Sequence, residues 1–147
     1  MRLSLYQAET ARIAVQQQHI LNQARAALQS GRALSNLEEN GVLHALQILI
    51  ENAIGKCKQL LKASGQPVPV SAQDAFAALA SLQMIMPSDL ASWARIVGLR
   101  NRIVHDYMNI NMPQVISFLT AAQEQFVVDF LLKDFSLDAA TRTPDKR

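Results

Sequence analysis

The chain has 147 residues, of which 50% are hydrophobic and 18% charged, and its formal net charge is +2 at pH 7. This length allows one domain with a real core and is too short for two comfortable ones. The charge is too small to indicate a nucleic-acid partner by itself, although local clustering of basic residues matters more than the total.

The compartment is predicted from the N-terminus, the apolar runs and the single cysteine. No apolar run approaches the ~18 residues of a membrane-spanning helix, and the N-terminal residues become polar too early for a secretory signal. Cys57 is the only cysteine, so an intramolecular disulfide is excluded. It lies on an apolar helical stripe, which is typical of a buried small hydrophobe. We therefore expect a cytoplasmic protein without a membrane partner.

Two long helices are predicted in the first half of the chain. Residues 4–30 contain no proline or glycine and carry apolar side chains at helical spacing, Ile13 and Ile20 among them. A capping box follows in Ser35-Asn-Leu-Glu38, where the two side chains can satisfy each other's backbone amides. The second helix should end near residues 64–65. Its apolar stripe is Leu43, Leu46, Ile50, Ala53, Cys57 and Leu61.

Three further helices are predicted in the second half. Prolines make residues 66–70 an extended connector, and Ser71 can cap a short third helix. Proline and acidic charge at residues 87–89 favour a new first turn, and the fourth helix then runs toward the break at residues 109–113. Asn111 can cap a fifth helix. The apolar stripe of that helix is Val115, Phe118, Leu119, Ala122, Phe126 and Phe130.

No alternating pattern typical of strands appears in the sequence. The fold prediction is all-α, an up-and-down bundle of four main helices plus one short helix. The domain should occupy residues 1–135, and the polar residues 136–147 should form a disordered tail.

The segment from Leu99 to Tyr107, with the sequence Leu-Arg-Asn-Arg-Ile-Val-His-Asp-Tyr, departs from the core pattern. On a helical wheel at about 100° per residue, Arg100 lies near the middle of the apolar sector. Arg102 lies on the opposite side with Asp106, an i,i+4 pair that explains it without a function. Arginine is almost never buried unless paired. Arg100 must therefore meet a carboxylate, for which Glu51 is a candidate, or a subunit boundary or an anionic ligand.

Most catalytic chemistries find no support in the sequence. The three histidines, His19, His44 and His105, lie on different predicted helices without metal-ligand spacing, so a zinc or di-iron site is not expected. His19 and His44 are expected at the surface. There is no glycine-rich phosphate loop and no nucleophile elbow. We expect neither a metal nor another cofactor.

Arg100 and His105 together suggest a phosphodiester site. RNA carries its own nucleophile, the 2′-hydroxyl, so cleavage needs a base, an acid and a cation for the charge on the phosphorane. His105 could serve as base or acid, and Arg100 as the phosphate clamp. One chain offers one histidine at this place. A two-fold dimer would bring two copies of the segment into one cleft.

The ten residues from Gly98 to Tyr107 resemble the signature of the HEPN superfamily, in its HepT-like branch. That branch carries R-x4-H-x-Y with a polar residue, often Asn, directly after the arginine. Arg100, Asn101, His105 and Tyr107 each match. The order of long helices, proline-bearing connector and motif helix is also similar, so the resemblance covers roughly residues 1–135.

The resemblance implies a metal-independent endoribonuclease that acts as the toxin of a toxin–antitoxin pair. Such proteins form homodimers, alone or in a larger complex, and their partner is a MntA-like minimal nucleotidyltransferase antitoxin. The antitoxin would transfer AMP from ATP onto Tyr107, which the wheel puts nearly above Arg100, about 10 Å along the axis. Asn101 would orient the site, and Arg102 is a candidate RNA contact.

An alternative of another class is a non-catalytic helical subunit that binds substrate for a nucleotidyltransferase or regulates it. It predicts the same neighbour and the same dimer. Loss of the Arg100 and His105 pair would favour it, and here the pair is intact. A structural helical adaptor is a third possibility, which leaves Arg100 unexplained.

Overall fold

The computed structural model describes residues 2–137. Within that range the chain forms six α-helices and no strand, which confirms the all-α prediction. The helices are α1 Leu3–Gln29, α2 Asn36–Ala63, α3 Ala72–Ser81, α4 Leu90–His105, α5 Met112–Thr120 and α6 Glu124–Leu132. Short 3-10 helices at Pro87–Asp89 and Tyr107–Asn109 flank α4. Almost all of the predicted tail, residues 136–147, lies outside the described residues.

The helix α2 is the centre of the bundle and packs against α1, α3, α4 and α6. Its start is fixed by the predicted capping box, in which the Glu38 amide donates to Ser35 Oγ at 3.1 Å and the Ser35 amide to Glu38 Oε1 at 2.8 Å. The guanidinium of Arg32 binds the same carboxylate and, with the cap, lowers the pKa of Glu38 to about 2. The predicted apolar stripe of α2 is buried along its whole length. The capping box therefore fixes where α2 begins, and the buried stripe fixes which face of α2 packs against its neighbours.

Stacked and tilted aromatic rings fill the space between α3, α4 and α6. Phe76 stacks on Trp93 with ring centroids 4.1 Å apart, and Trp93 contacts Phe126 at 4.8 Å. Phe130 meets the edge of the Trp93 ring at 5.1 Å. This cluster anchors the first half of α4, the helix that carries the motif.

The buried face of α1 differs from the predicted one. Ile20, expected in the core, is 37% exposed, whereas Ala14 and Leu21 are fully buried. The cause is Gln7, two helical turns before Ala14 on the same face. Its amide accepts from the Phe135 backbone N–H at 2.8 Å and donates to the Phe135 carbonyl at 2.9 Å. A polar side chain with such partners is stable inside the bundle, so the face that contains Gln7 turns inward.

The predicted last helix is wrong as a single element, because it breaks into α5 and α6, whose axes are bent by 57°. Ala122 has a φ of 55° at the break. Arg25 of α1 holds both sides of the turn, since its Nε donates to the Leu119 carbonyl at 2.9 Å and its Nη2 pairs with the buried Glu124 carboxylate. A straight helix could not present these two groups to one guanidinium.

No single helix among residues 2–137 is both long enough and apolar enough to cross a membrane. The helices α5 and α6 meet that length and composition only when they are counted together as a bent pair.

Lys56 is a fully buried charge on α2 that the sequence pattern did not explain. Its Nζ donates to the carbonyls of Phe130 at 2.7 Å and Leu131 at 3.3 Å, and to that of Lys133. These carbonyls belong to the C-terminal end of α6, where intrahelical donors are missing. Nζ also lies 4.9 Å from the Phe135 ring centroid. Burial lowers the pKa of Lys56 to about 8.

We expect Lys56→Met to lower the free energy of unfolding by about 2–4 kcal/mol, because it leaves helix-end carbonyls without a donor inside the protein. Equilibrium denaturation measures the change. Lys62→Met is the matched control, since Lys62 is exposed in the last turn of the same helix, and should cost about 0.5 kcal/mol or less. Equal stability of both variants would contradict the role assigned to Lys56.

Candidate functional site

The motif helix α4 presents an apolar face to the bundle and Arg100 within it. Trp93, Ile96, Val97 and Ile103 are buried. The side chain of Arg100 shares their sector and keeps only 24% of its surface exposed. An apolar side chain would be the ordinary occupant of this position, so the cation needs a partner or a ligand.

Glu51 of α2 is the acidic partner of Arg100, but the pair is loose. Arg100 Nη1 lies 3.8 Å from Glu51 Oε2, which is beyond hydrogen-bond distance. Gln47 donates to the same carboxylate at 3.3 Å. The Arg100 Nε is buried and has no hydrogen-bond partner among the described residues. The guanidinium is therefore charge-balanced while its hydrogen-bonding capacity stays largely unused.

Asn101 and His105 lie on the solvent side of α4, and both are exposed. His105 follows Arg100 by five positions on the helix, which corresponds to about 140° around the axis and about 7.5 Å along it. No hydrogen bond or ion pair joins these two side chains in the described part of the chain. One copy of the chain therefore does not bring the predicted arginine and histidine together.

Tyr107 does not occupy the place that the helical wheel assigned to it. The helix α4 ends at His105, and Asp106 leaves the helical conformation with φ −140° and ψ 40°. Tyr107 then opens a 3-10 turn, so the prediction that it lies above Arg100 on one helix is wrong. Its side chain is 48% exposed, and its hydroxyl donates to Asn40 Oδ1 on α2.

The same change of conformation removes the predicted pairing of Arg102 with Asp106. The Asp106 carboxylate accepts from Asn109 Nδ2 at 2.8 Å, within the turn. Arg102 is exposed and forms no ion pair within residues 2–137. The ordinary explanation that the sequence offered for Arg102 therefore does not hold.

The contribution of α2 to this site was largely missed from the sequence. Asn40, Gln47 and Glu51 follow one another at intervals of seven and four residues, which places them on one face of α2. That face meets Arg100 and Tyr107. Polar residues at helical spacing beside a clean apolar stripe were the available signal, and of these the sequence pointed only to Glu51, as a candidate partner of Arg100.

The other candidate groups take no part in the site. His19 and His44 are exposed, as predicted. Cys57 is fully buried, and burial raises its pKa to about 12, which suppresses the nucleophilic thiolate. Among the described residues no group of three or more His, Cys, Asp or Glu side chains could hold a metal ion.

The sequence also matches a known family. A family model described as Ribonuclease HepT-like matches residues 16–131. No curated protein matches the chain.

Solved structures share the fold, among them two from toxin–antitoxin pairs. One is a chain from a crystal structure of a toxin–antitoxin with AMP-PNP, with a TM-score of 0.67, 21% identity, and coverage of 89% of this chain and 99% of the other. The second comes from a tri-AMPylated Shewanella oneidensis HEPN toxin in complex with MNT antitoxin. Its TM-score is 0.66 at 22% identity, with 89% of this chain and 98% of the other covered. At these sequence identities the similarity shows a shared fold and nothing beyond it.

We expect Tyr107→Phe and Asn40→Ala to lower the free energy of unfolding by less than about 1 kcal/mol each, because both side chains are exposed and water replaces their hydrogen bond. Equilibrium denaturation tests this. Gln7→Ala is the contrasting case, because it breaks buried hydrogen bonds and should cost about 1–3 kcal/mol. A loss above about 2 kcal/mol for Tyr107→Phe would show that the turn depends on the hydroxyl.

Proposed function

Because the chain belongs to the HepT-like ribonuclease family, we propose that it is a metal-independent endoribonuclease and the toxin of a toxin–antitoxin pair. The observation that carries the proposal is Arg100, a half-buried cation with unused donors on a helix that ends in His105. The predicted partner, a MntA-like nucleotidyltransferase, is supported by the two solved structures of the same fold, one of them an AMPylated HEPN toxin with an MNT antitoxin.

Cleavage would use the 2′-hydroxyl of the RNA as the nucleophile. A base removes its proton, the 2′-oxygen bonds to phosphorus, and the bond to the 5′-oxygen breaks as that oxygen accepts a proton. The products are a 2′,3′-cyclic phosphate and a 5′-hydroxyl. His105 supplies the group that transfers these protons. Arg100 stabilises the phosphorane charge through its free donors, and Asn101 orients the segment.

A second copy of the chain would complete the site. Arg100 faces α2 while His105 faces solvent, and the reaction needs two proton transfers, so two-fold pairing of α4 supplies what one chain lacks. Val104 and Met108 support this arrangement, because these apolar side chains beside His105 are 39% and 91% exposed. Burying them in a dimer would remove apolar surface from water next to the cleft.

Tyr107 is the proposed switch. AMPylation would join the tyrosine oxygen to the α-phosphorus of ATP, with pyrophosphate leaving and the phenolic proton released. The exposed hydroxyl is within reach of an enzyme, and the modification would remove the proton that it donates to Asn40. Each added AMP brings a negative charge close to the cationic residues of the motif and obstructs the RNA path. RNA and ATP meet in the cytoplasm, where we place this activity.

We expect Arg100→Ala and His105→Ala each to lower RNA cleavage by about 10²–10⁴-fold and to abolish toxicity, because they remove the phosphate clamp and the proton-transfer group. Growth after expression without partner and cleavage of RNA by purified protein are the measurements. Arg12→Ala and His19→Ala are matched controls, since both side chains are exposed on α1.

Two results would contradict these assignments. A harmless wild type that leaves RNA intact would remove the toxin proposal, and binding to the nucleotidyltransferase would then favour the non-catalytic subunit. If both motif variants cut RNA as well as wild type, the site assignment fails while the activity stands.

We expect Tyr107→Phe to stay active and to resist neutralisation by the antitoxin with ATP, because the acceptor oxygen is gone. Intact-mass spectrometry and RNA cleavage after incubation report both effects. Tyr6→Phe is the matched control, since Tyr6 is the only other tyrosine, and it should be modified and neutralised like wild type. Continued neutralisation of Tyr107→Phe would show that the antitoxin acts on another residue.

A further inference from the structure

An open groove of about 740 Å³ runs between α4 and α5, and neither Arg100 nor Glu51 lines it. Its floor is apolar, with Ile96, Leu99, Phe118 and Phe126 among the lining side chains, and Arg95 and Arg102 stand on the α4 side. We propose that this groove binds one nucleotide of the RNA beside the cleaved bond. The inference rests on the proposed RNA cleavage and adds a substrate subsite to it.

Charge is the first argument for an RNA occupant. The groove is lined by two arginines and no carboxylate. Within residues 2–137, Arg95 is bonded only to Ser92 Oγ, at 3.1 Å, and Arg102 has no ion pair. The two arginines are seven residues apart, so they lie on one face of α4 about 10 Å apart. Their long side chains can reach the phosphates on either side of one nucleotide.

The aromatic floor is the second argument. Phe118 and Phe126 are half-buried and face the open space. Exposed or half-exposed aromatic rings are the usual platforms for unpaired RNA bases, because every base can stack on them. Phe126 is itself held by Trp93 at 4.8 Å from the core side. The platform is therefore backed by the packed interior and offers a firm surface to a base.

Position is the third argument. Arg102 and His105 are three residues apart on α4, so they are neighbours on the helix surface. A phosphate on Arg102 thus lies one helical turn from the proposed proton-transfer group. A second copy of the chain is a poorer occupant, because a two-fold contact through this groove would bring Arg95 and Arg102 against their own copies without a carboxylate in the groove to pair them.

The test measures binding of a fluorescein-labelled oligoribonucleotide whose 2′-hydroxyls are methylated, so that it cannot be cut. Fluorescence anisotropy with the full chain gives the Kd. We expect Arg95→Gln and Arg102→Gln each to weaken binding about tenfold, and Phe118→Leu about fivefold or more. Arg12→Gln, an exposed arginine on α1, should bind like wild type. An unlabelled oligonucleotide of the same kind should change the emission of Trp93, the only tryptophan.

The outcomes separate this inference from the proposed function. His105→Ala should bind the oligonucleotide like wild type and fail to cut RNA. If Arg95→Gln and Arg102→Gln bind normally while wild type cuts RNA, the groove is not a subsite and the proposed function stands. If wild type does not cut RNA yet oligonucleotide binding depends on both arginines, the proposed endoribonuclease function is refuted, whereas the groove remains an RNA-binding site.

Two further results would overturn the inference in favour of a protein partner. Conversion of dimers to monomers by Arg102→Gln, seen in sedimentation, would make the groove a subunit interface. Loss of nucleotidyltransferase binding with unchanged oligonucleotide affinity would make it a docking site for that protein. Thermal unfolding of each variant establishes that the fold is retained.

Discussion

The site depends on the axial register between two antiparallel helices. α2 presents Asn40 and Glu51, eleven residues or about 16 Å apart along its axis, to Tyr107 in the turn after α4 and to Arg100 on α4. The two helices are antiparallel, because Asn40 near the start of α2 meets Tyr107, whereas Glu51 further along α2 meets Arg100. A slip of one helical turn would leave Arg100 as an unpaired half-buried charge, which is costly. Capping of α2 at Ser35 and the aromatic cluster that anchors α4 both oppose such a slip.

Three cations in this bundle show the difference between a buried charge that stabilises the fold and one that can still bind a ligand. Lys56 has three carbonyl acceptors at the end of α6, and Arg25 bridges a carbonyl and the buried carboxylate of Glu124. Both are bound by buried or part-buried acceptors of α5 or α6, and both join distant parts of the fold. Arg100 has one loose carboxylate neighbour in Glu51 and an orphaned Nε. Burial alone does not distinguish these three residues, whereas their unused hydrogen-bonding capacity does.

The sequence was sufficient to predict those features that depend only on residues within one helix. The capping box at Ser35, the stripe of α2 and the unusual place of Arg100 follow from periodicity and local chemistry, and the motif pointed to the family that the match to residues 16–131 confirms. It was insufficient where distant residues decide. The inward face of α1 depends on Gln7 binding the backbone 128 residues later, and the break before α6 depends on Arg25.

The early end of α4 has a consequence for how the protein could be controlled. Tyr107 stands on a short, exposed turn after α4, and its hydroxyl is hydrogen-bonded to Asn40 of α2. Local opening of such a segment costs far less free energy than global unfolding. If Tyr107 is modified as proposed, silencing is uncoupled from folding. The cell could then store the protein fully folded and inactive, and its activity would be decided by the chemical history of one side chain and not by synthesis or degradation of the chain.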